Sequence, residues 1–411
     1  MKPRILFNCK DHPDLSSGYG IVAKYLLPLL GDRYGRDNVI IYAPVYQRDH
    51  IGSWEGMTVV PGIDWGFGED LILDHYQAYG CNLLIMLGDA WPLGKLPDLA
   101  AQDKVLWIQS LPVDWIGMPK NIINRLKPAH KLVPFSKWGE NALRKAGLSN
   151  VSKAIWLGLN TDLWKPQPRE ELQDVMNILG YSRDSFNILI VAANQERKRV
   201  RQALEAIATF RKATSANVRL YLHSHVKGER DLRADVDELG LDDIIVYPDP
   251  YLMTQGGAPE SDMVKVFNCA DVVINSCLEG FGFSHIQAQA CGVPVICLSE
   301  GAGPELVVFG YEVPMQGIEV LPNQMATGGP NPIAIAKALE DLWENRKKSG
   351  APLRSPKAIK FVQDNFSWSK IASQWFEVID QCMEDRVKWC MQVPDTSALL
   401  KEKALKTVEL R

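Results

Sequence analysis

Short apolar runs alternate with amphipathic stretches along nearly the whole chain. ILFNC (5–9), NVIIYAPV (38–45), NLLIMLG (82–88), KVLWIQS (104–110), KLVPFS (131–136) and KAIWLG (153–158) predict strands in a first half. Segments of helical period lie between several of them, as in YGIVAKYLLPLL (19–30), with apolar positions at i, i+3, i+4 and i+7. NTDLWKPQPREE, polar and twice interrupted by proline, reads as a linker at about 160–172. The alternation resumes with FNILIVAA (186–193), VRLYLHS (218–224), DIIVYPD (243–249), DVVINS (271–276) and PVICLS (294–299). Continuous apolar runs joined by helices predict parallel strands buried on both faces. The expected fold class is therefore α/β, with two doubly wound, Rossmann-like domains facing across a cleft. In such sheets, ligands sit at the carboxyl ends of the strands. The tail from about 356 predicts helices with an aromatic face. The expected units are 1–165, 166–365 and a helical 366–411 that crosses back to the first domain.

Composition narrows the classes. At 411 residues the chain is long for one core, and 46% hydrophobic with 23% charged residues describes a globular protein. No apolar run reaches the roughly 18–20 residues that span a bilayer. MKPRILFNCK reads as a strand start rather than a signal peptide. The eight cysteines are scattered, without a C-x-x-C pair, and read as buried thiols in a reducing compartment. A cytoplasmic location is expected. A net charge of −4 argues against a protein that coats polyanions.

Candidate chemistry falls at four strand ends. DHPDLSSGYG precedes a helix, so Gly18 and Gly20 let backbone amides approach an anion; a plain turn and helix cap is the alternative. VAANQERKRV places Arg197, Lys198, Arg199 and Arg201 at the start of a helix, either as a solvated face or as a phosphate site. Glu279 stands directly before Gly280-Phe281-Gly282-Phe283-Ser284 and a helix carrying Gln287. GAGPELV (301–307) is a further glycine turn, with Gly301 and Glu305.

The block at 271–307 resembles the retaining glycosyltransferases of the GT-B fold, the glycogen synthase-like "group 1" class. Their signature is E-G-F-G-x-x-x-x-E-A-x-A-x-G-x-P-V. Here Glu279, Gly280, Phe281, Gly282, Ala288, Ala290, Gly292, Pro294 and Val295 fall in register. GAGPELV is similar to the family's G-G-x-x-E-[IL]-V. The loop at Gly18-Tyr19-Gly20, the linker entry WLGLNTDLWKP (156–166) and the helix FSWSKIASQWFEVI (366–379) also resemble family elements. Two positions depart from the pattern: Gln287 replaces the second glutamate, and Ala193 stands where an arginine is common.

The resemblance implies transfer of a sugar, with retention, from a nucleotide diphosphate sugar (UDP-, GDP- or ADP-linked) to an acceptor hydroxyl. No other cofactor is expected. The absence of a D-x-D motif at a strand end leads to an expectation of metal independence. His223 and His225 alternate on a strand tip, but lack cysteine or paired carboxylates nearby to complete a metal site. Lys198 and Arg197 are expected to stabilise the departing diphosphate. Glu279 is expected to orient sugar hydroxyls, with Gly282, Phe283 and Ser284 fixing the ring and Gln287 meeting the ribose. In place of the family's N-domain histidine, Asp114 is preferred over Gln109 and Ser110. His285 is either a cap or a sugar contact. Trp54 and Trp65 are the expected acceptor-binding aromatics. The acceptor is expected to be a saccharide, with a lipid-linked sugar, a small metabolite or a modified DNA base as alternatives. WIGMPKNIINRLKPAHK (115–131) reads as a solvated helix, or as peripheral contact with an anionic inner membrane face or a nucleic-acid phosphate. A catalytically silent sugar- or nucleotide-binding protein is the competing reading, because one signature acid is missing.

Overall fold

The computed structural model describes residues 2–44, 50–62, 71–254, 257–321 and 324–392. Among these, a first sheet is built from β1 (Ile5–Asn8), β2 (Val39–Tyr42), β3 (Gly52–Trp54), β4 (Met57–Val60), β5 (Leu83–Leu87), β6 (Trp107–Leu111) and β7 (Lys131–Pro134). Its order is β3-β4-β2-β1-β5-β6-β7, parallel except for the edge strand β3. A second sheet holds β8 (Phe186–Val191), β9 (Val218–His223), β10 (Ile245–Val246), β11 (Val272–Ile274), β12 (Val295–Leu298) and β13 (Gly310–Val313). Its order is β10-β9-β8-β11-β12-β13, all parallel. β14 (Met315–Val320) and β15 (Ala326–Pro330) form a separate antiparallel ribbon.

The central strands are buried along their whole length, as continuous apolar runs require when helices cover both faces. Strand order reverses between β1 and β5 in the first sheet, and between β8 and β11 in the second. The loops leaving such paired strands splay apart and open a crevice at their carboxyl ends. Those loops carry Gly18, Lys198 and Glu279.

The carboxyl-terminal helix Trp368–Gln392 packs on the first-domain helix Gly18–Tyr34. Tyr25 stacks on Trp368 at 5.6 Å, Tyr34 donates to Asp380 at 2.9 Å, and Arg33 pairs with Asp380 at 3.1 Å. None of the helices in the described residues is long and apolar enough to cross a membrane.

Several predicted elements differ in the structure. KAIWLG is not a strand. It runs extended from Ile155, which donates to the Pro134 carbonyl at 3.0 Å, to Leu159, which donates to Phe366 at 2.6 Å. The segment crosses from the first sheet to the carboxyl-terminal helices, so no ladder forms, although Ile155 and Leu157 are buried. DIIVYPD forms only the two-residue β10. The glycine-rich segment expected to expose Trp54 instead begins as the β3–β4 hairpin, with Trp54 half-buried against the core. Trp65 lies outside the described residues. In the basic segment 115–131, Trp115, Ile122 and Leu126 are buried, and only a short helix, Lys120–Leu126, forms.

Gly158 lies against the indole of Trp368; a Cβ there would come within 2.4 Å of the ring. Gly158→Ala is therefore expected to cost about 1–3 kcal/mol by overpacking. Thermal unfolding should show a lower Tm, whereas an unchanged Tm would mean that the helix yields freely.

Candidate functional site

The site begins with the loop that leaves β11. Asn275 donates to Ser284 Oγ at 3.0 Å, which ties the strand end to the first turn of the helix Phe283–Ala290. Ser276 Oγ donates to the Lys198 carbonyl at 2.9 Å and so joins this loop to the one leaving β8. Glu279 follows, and its carbonyl accepts from the Ala302 amide at 2.9 Å. Two glycines permit this approach. Gly301 has φ +84°, and a Cβ would sit 2.8 Å from the Glu279 carbonyl oxygen. Gly282 has φ +79°, and a Cβ would meet His285 Nδ1 at 2.6 Å. His285 Nδ1 hydrogen-bonds the Phe281 carbonyl at 3.0 Å and closes the same turn, leaving buried Nε2 without a partner. His285 is thus engaged in the loop itself.

Lys198 lies in a 3₁₀ turn, Glu196–Lys198, before the helix Val200–Ala213. Its Nζ is 2.6 Å from Glu279 Oε1, with both side chains largely buried. The same carboxylate oxygen lies 3.2 Å from Cys277 Sγ. Burial alone would raise the Glu279 carboxyl, but Lys198 and Arg197 overcome it and lower the group to about 2. Burial works to lower the Lys198 ammonium, yet Cys277 and Glu279 hold it above the ordinary lysine value. Both groups are therefore charged at neutral pH. The basic run expected as one cluster is divided: Arg199 turns to Glu319, while Arg201 bonds Glu205, Asp235 and Glu238. Only Arg197 and Lys198 reach the crevice charges.

The first domain meets this turn directly. A Cβ on Gly280 would lie 2.6 Å from Pro112 Cβ and 2.7 Å from the Val113 amide nitrogen. One residue on, Asp114 Oδ2 pairs with Arg197 Nη1 at 2.8 Å across the cleft. Burial raises the Asp114 carboxyl, Arg197 opposes that, and Asp89 adds to it. Burial and the carboxylates of Asp89 and Asp114 push the Tyr19 phenol well above its usual range. Asp89, Asp114, Arg197, Lys198 and Glu279, with the neutral Tyr19 phenol, thus form one polar group at the ends of β1, β5, β6, β8 and β11. Sequence reading missed Asp89 and Tyr19 as members; the available signal for Asp89 was its place just beyond NLLIMLG.

Other expected residues are distributed around this group. Ser17 caps the helix Gly18–Tyr34 by accepting from the Gly20 amide at 3.0 Å. Gly20 is needed for close approach, since a Cβ would fall 2.3 Å from the Leu15 carbonyl. Gly18 faces Phe283, whose ring would be 3.8 Å from an added Cβ. Gln287 is nearly buried, and its amide makes no hydrogen bond among the described residues. Trp54 donates to Asp14 at 3.0 Å. Gln109 is buried and donates to the Gly88 carbonyl at 2.8 Å, while Ser110 is buried within β6. His223 contacts the Tyr221 hydroxyl at 3.3 Å, and burial lowers it to about 4. Among the described residues, no group of three or more His, Cys, Asp or Glu is placed to hold a metal.

Glu305, expected beside the donor, accepts from the Lys137 amide at 3.0 Å, the Trp138 amide at 3.1 Å and Trp156 Nε1 at 3.0 Å. A second-domain carboxylate therefore caps the first-domain helix Lys137–Lys145, where orphan amides and the helix dipole favour an anion. Both of its oxygens are occupied by the interface.

The family model described as "Glycosyl transferases group 1" matches residues 185–345, the part that contains Lys198, Glu279 and Glu305. Among curated relatives, D-inositol 3-phosphate glycosyltransferase of Paenarthrobacter aurescens is 28% identical over 192 residues, 46% of this chain and 42% of that one. The chain thus spans less than half the length of that relative. A glycosyltransferase from Rickettsia africae has a similar structure, with a TM-score of 0.68 at 17% identity over 93% of this chain and 99% of that one. Anabaena Alr3699/HepE, solved in complex with UDP-glucose, has a TM-score of 0.66 at 17% identity over 92% and 99% of the two chains. The architecture is GT-B: two Rossmann-like α/β domains facing across a cleft.

Two outcomes follow from the charges. Because the Glu279 carboxyl lies below its unfolded value, its stabilisation is complete above about pH 4.5 and is lost as pH falls towards 2. Glu279→Gln should flatten that part of a stability–pH profile measured by denaturant unfolding. Glu305→Ala should cost about 1–2 kcal/mol, as loss of a helix cap does, with scattering showing looser contact between the domains.

Proposed function

We propose that this chain, a GT-B protein related to the group 1 glycosyl transferases, moves a sugar from a nucleotide diphosphate sugar to an acceptor hydroxyl. The observation that carries the reading is the placement of Lys198 and Arg197, each paired with a carboxylate, at the facing strand ends. Breaking the glycosidic bond builds negative charge on a diphosphate, and preplaced cations in a partly dehydrated crevice stabilise it. Amides of the Gly282-Phe283-Ser284 turn, at the start of the helix Phe283–Ala290, add donors for sugar or phosphate oxygens. Gln287, whose amide has no protein partner among the described residues, is assigned to the ribose hydroxyls. Gly18, Gly20 and Gly301 shape the two sides of the crevice.

Glu279 orients the sugar. A carboxylate lowered to about 2 and held by Lys198 at 2.6 Å is a weak base and a restrained nucleophile. This favours front-face attack with retention, the departing phosphate taking the acceptor's proton, over a covalent glycosyl-enzyme. Asp114, whose carboxyl burial raises, is assigned to the acceptor hydroxyl on the first-domain side. The domains are assigned as 1–165 for acceptor, 166–365 for donor and 366–411 as the returning helices. The acceptor is assigned first to saccharides, with lipid-linked sugars, small metabolites and modified DNA as the remaining classes. Burial of the seven described free cysteines supports a reducing, cytoplasmic setting, with peripheral membrane contact through 115–131 as the associated proposal.

A thermal-shift screen against UDP, GDP, ADP and their common sugars should identify the donor, followed by slow donor hydrolysis that Glu279→Ala abolishes. Lys198→Ala should weaken nucleotide binding about 10- to 100-fold, the equivalent of one or two charge-assisted hydrogen bonds. Unchanged affinity in that variant would remove the cations from the reading. Tight nucleotide binding without turnover of any donor would favour the silent binder.

A further inference from the structure

The antiparallel ribbon β14–β15 has no part in the roles assigned so far, yet it bridges the domains beside the reacting groups. On the second-domain side, β15 packs against the turn Glu196–Lys198 and the helix Val200–Ala213. Arg199 is largely buried and holds φ +54°, a left-handed conformation uncommon outside glycine. It pairs with Glu319 of β14, whereas the adjacent Lys198 pairs with Glu279. A Cβ on Gly329 of β15 would lie 3.4 Å from Arg199 Cδ, so the arginine stem rests on the strand as well.

On the first-domain side the two units exchange side chains. Met325 belongs to the buried core cluster that holds Val113 and Trp115, and among the described residues it is the one buried member from beyond Val151. Ile116 reaches the other way and packs against the second-domain core. Between them, the Ile116 amide donates to the Ala326 carbonyl at 2.7 Å in an antiparallel bridge. Apolar burial resists separation without setting direction, and the hydrogen bond sets direction. Asp114 lies two residues before Ile116, and its partner Arg197 lies in the turn on which β15 packs. The ribbon therefore contacts the backbone on both sides of the 2.8 Å ion pair that crosses the cleft.

We infer that the ribbon straps the domains together and that Met325 is a positioning residue for the reaction. It acts through Ile116: with Met325 seated, the loop 113–116 keeps its place and Asp114 stays within reach of Arg197. Asp114 then meets the acceptor hydroxyl at a fixed distance from the sugar held by Glu279. A displacement of about 1 Å near reacting groups can cost about 100-fold in rate. The effect on turnover rests on the transferase reading, whereas the strap itself rests on the contacts alone.

The test uses the full chain, with hydrogen–deuterium exchange and donor hydrolysis as readouts. In Met325→Ala, the amides of 113–118 should exchange at least about tenfold faster, within what a large-to-small core change produces. The amides of β8 should exchange as before. Affinity for UDP, GDP or ADP, whichever the unaltered chain binds, should hold, while donor hydrolysis falls about 10- to 100-fold. Met325→Leu, which nearly conserves volume, should restore both slow exchange and hydrolysis. Glu319→Ala alters an exposed side chain at the other anchor and serves if Met325→Ala does not fold; exchange and hydrolysis should move in the same directions. Exchange at 113–118 that stays slow, or that rises equally in β8, overturns the strap. Full hydrolysis despite lost protection overturns the positioning role. Lost protection at 113–118 in a chain that hydrolyses no donor upholds the strap and removes the transferase reading, so the two fail separately.

Discussion

Two carboxylate–cation pairs govern how the crevice is built. Moving a lone ammonium or carboxylate out of water costs several kcal/mol, and only close pairing offsets it. Lys198 and Glu279 pair within the second domain, whereas Arg197 and Asp114 pair across the cleft. Neither arrangement tolerates much displacement, so the backbone around each charge has to approach its neighbours closely. That requirement accounts for the glycines. Gly280 lets the turn touch Pro112 and Val113, Gly301 lies under the Glu279 carbonyl, and Gly282 leaves room for His285.

The same logic extends beyond the reacting groups. Glu305 joins the domains by capping a helix of its neighbour, and Glu260 does so by accepting from Tyr25 at 2.8 Å and Trp164 at 3.1 Å. Trp156 and Phe366 stack with ring centroids 5.1 Å apart and add an aromatic contact. The helix Trp368–Gln392 completes the arrangement by packing on the first-domain helix Gly18–Tyr34, while the helix Pro356–Asn365 packs on Phe283–Ala290 of the second. The interface thus combines hydrogen bonds, which fix orientation, with aromatic burial, which resists separation.

Legibility differed from element to element for physical reasons. Strands such as Ile5–Asn8 and Phe186–Val191 were readable because both of their faces are buried, which leaves an uninterrupted apolar run. KAIWLG has the same composition but lies between units, where burial comes from packing on Trp368 rather than from a ladder. The β3–β4 hairpin and the β14–β15 ribbon were hidden because they are short and partly exposed, with weak alternation. In the crevice, Glu279 and Lys198 stood at strand ends beside turn residues and could be found locally. Asp89 and Tyr19 join them only because β1 and β5 are neighbours in the sheet, a fact of topology with no local mark. The interdomain bonds of Glu305 were hidden for a related reason: its glycine-rich context indicates exposed amides, but its partner is a helix more than 160 residues away.

What the chain determined by itself was therefore the local chemistry. Apolar runs specify parallel strands, glycines specify where the backbone turns tightly, and Glu279, Lys198 and Arg197 supply the charges. Tertiary structure decided their partners. It assigned Arg197 to Asp114, separated Arg199 and Arg201 from the crevice, and turned Glu305 into an interdomain cap. Residue type and spacing encode what a side chain can do. Which group it meets depends on the order in which the strands pair and on how the two sheets face one another.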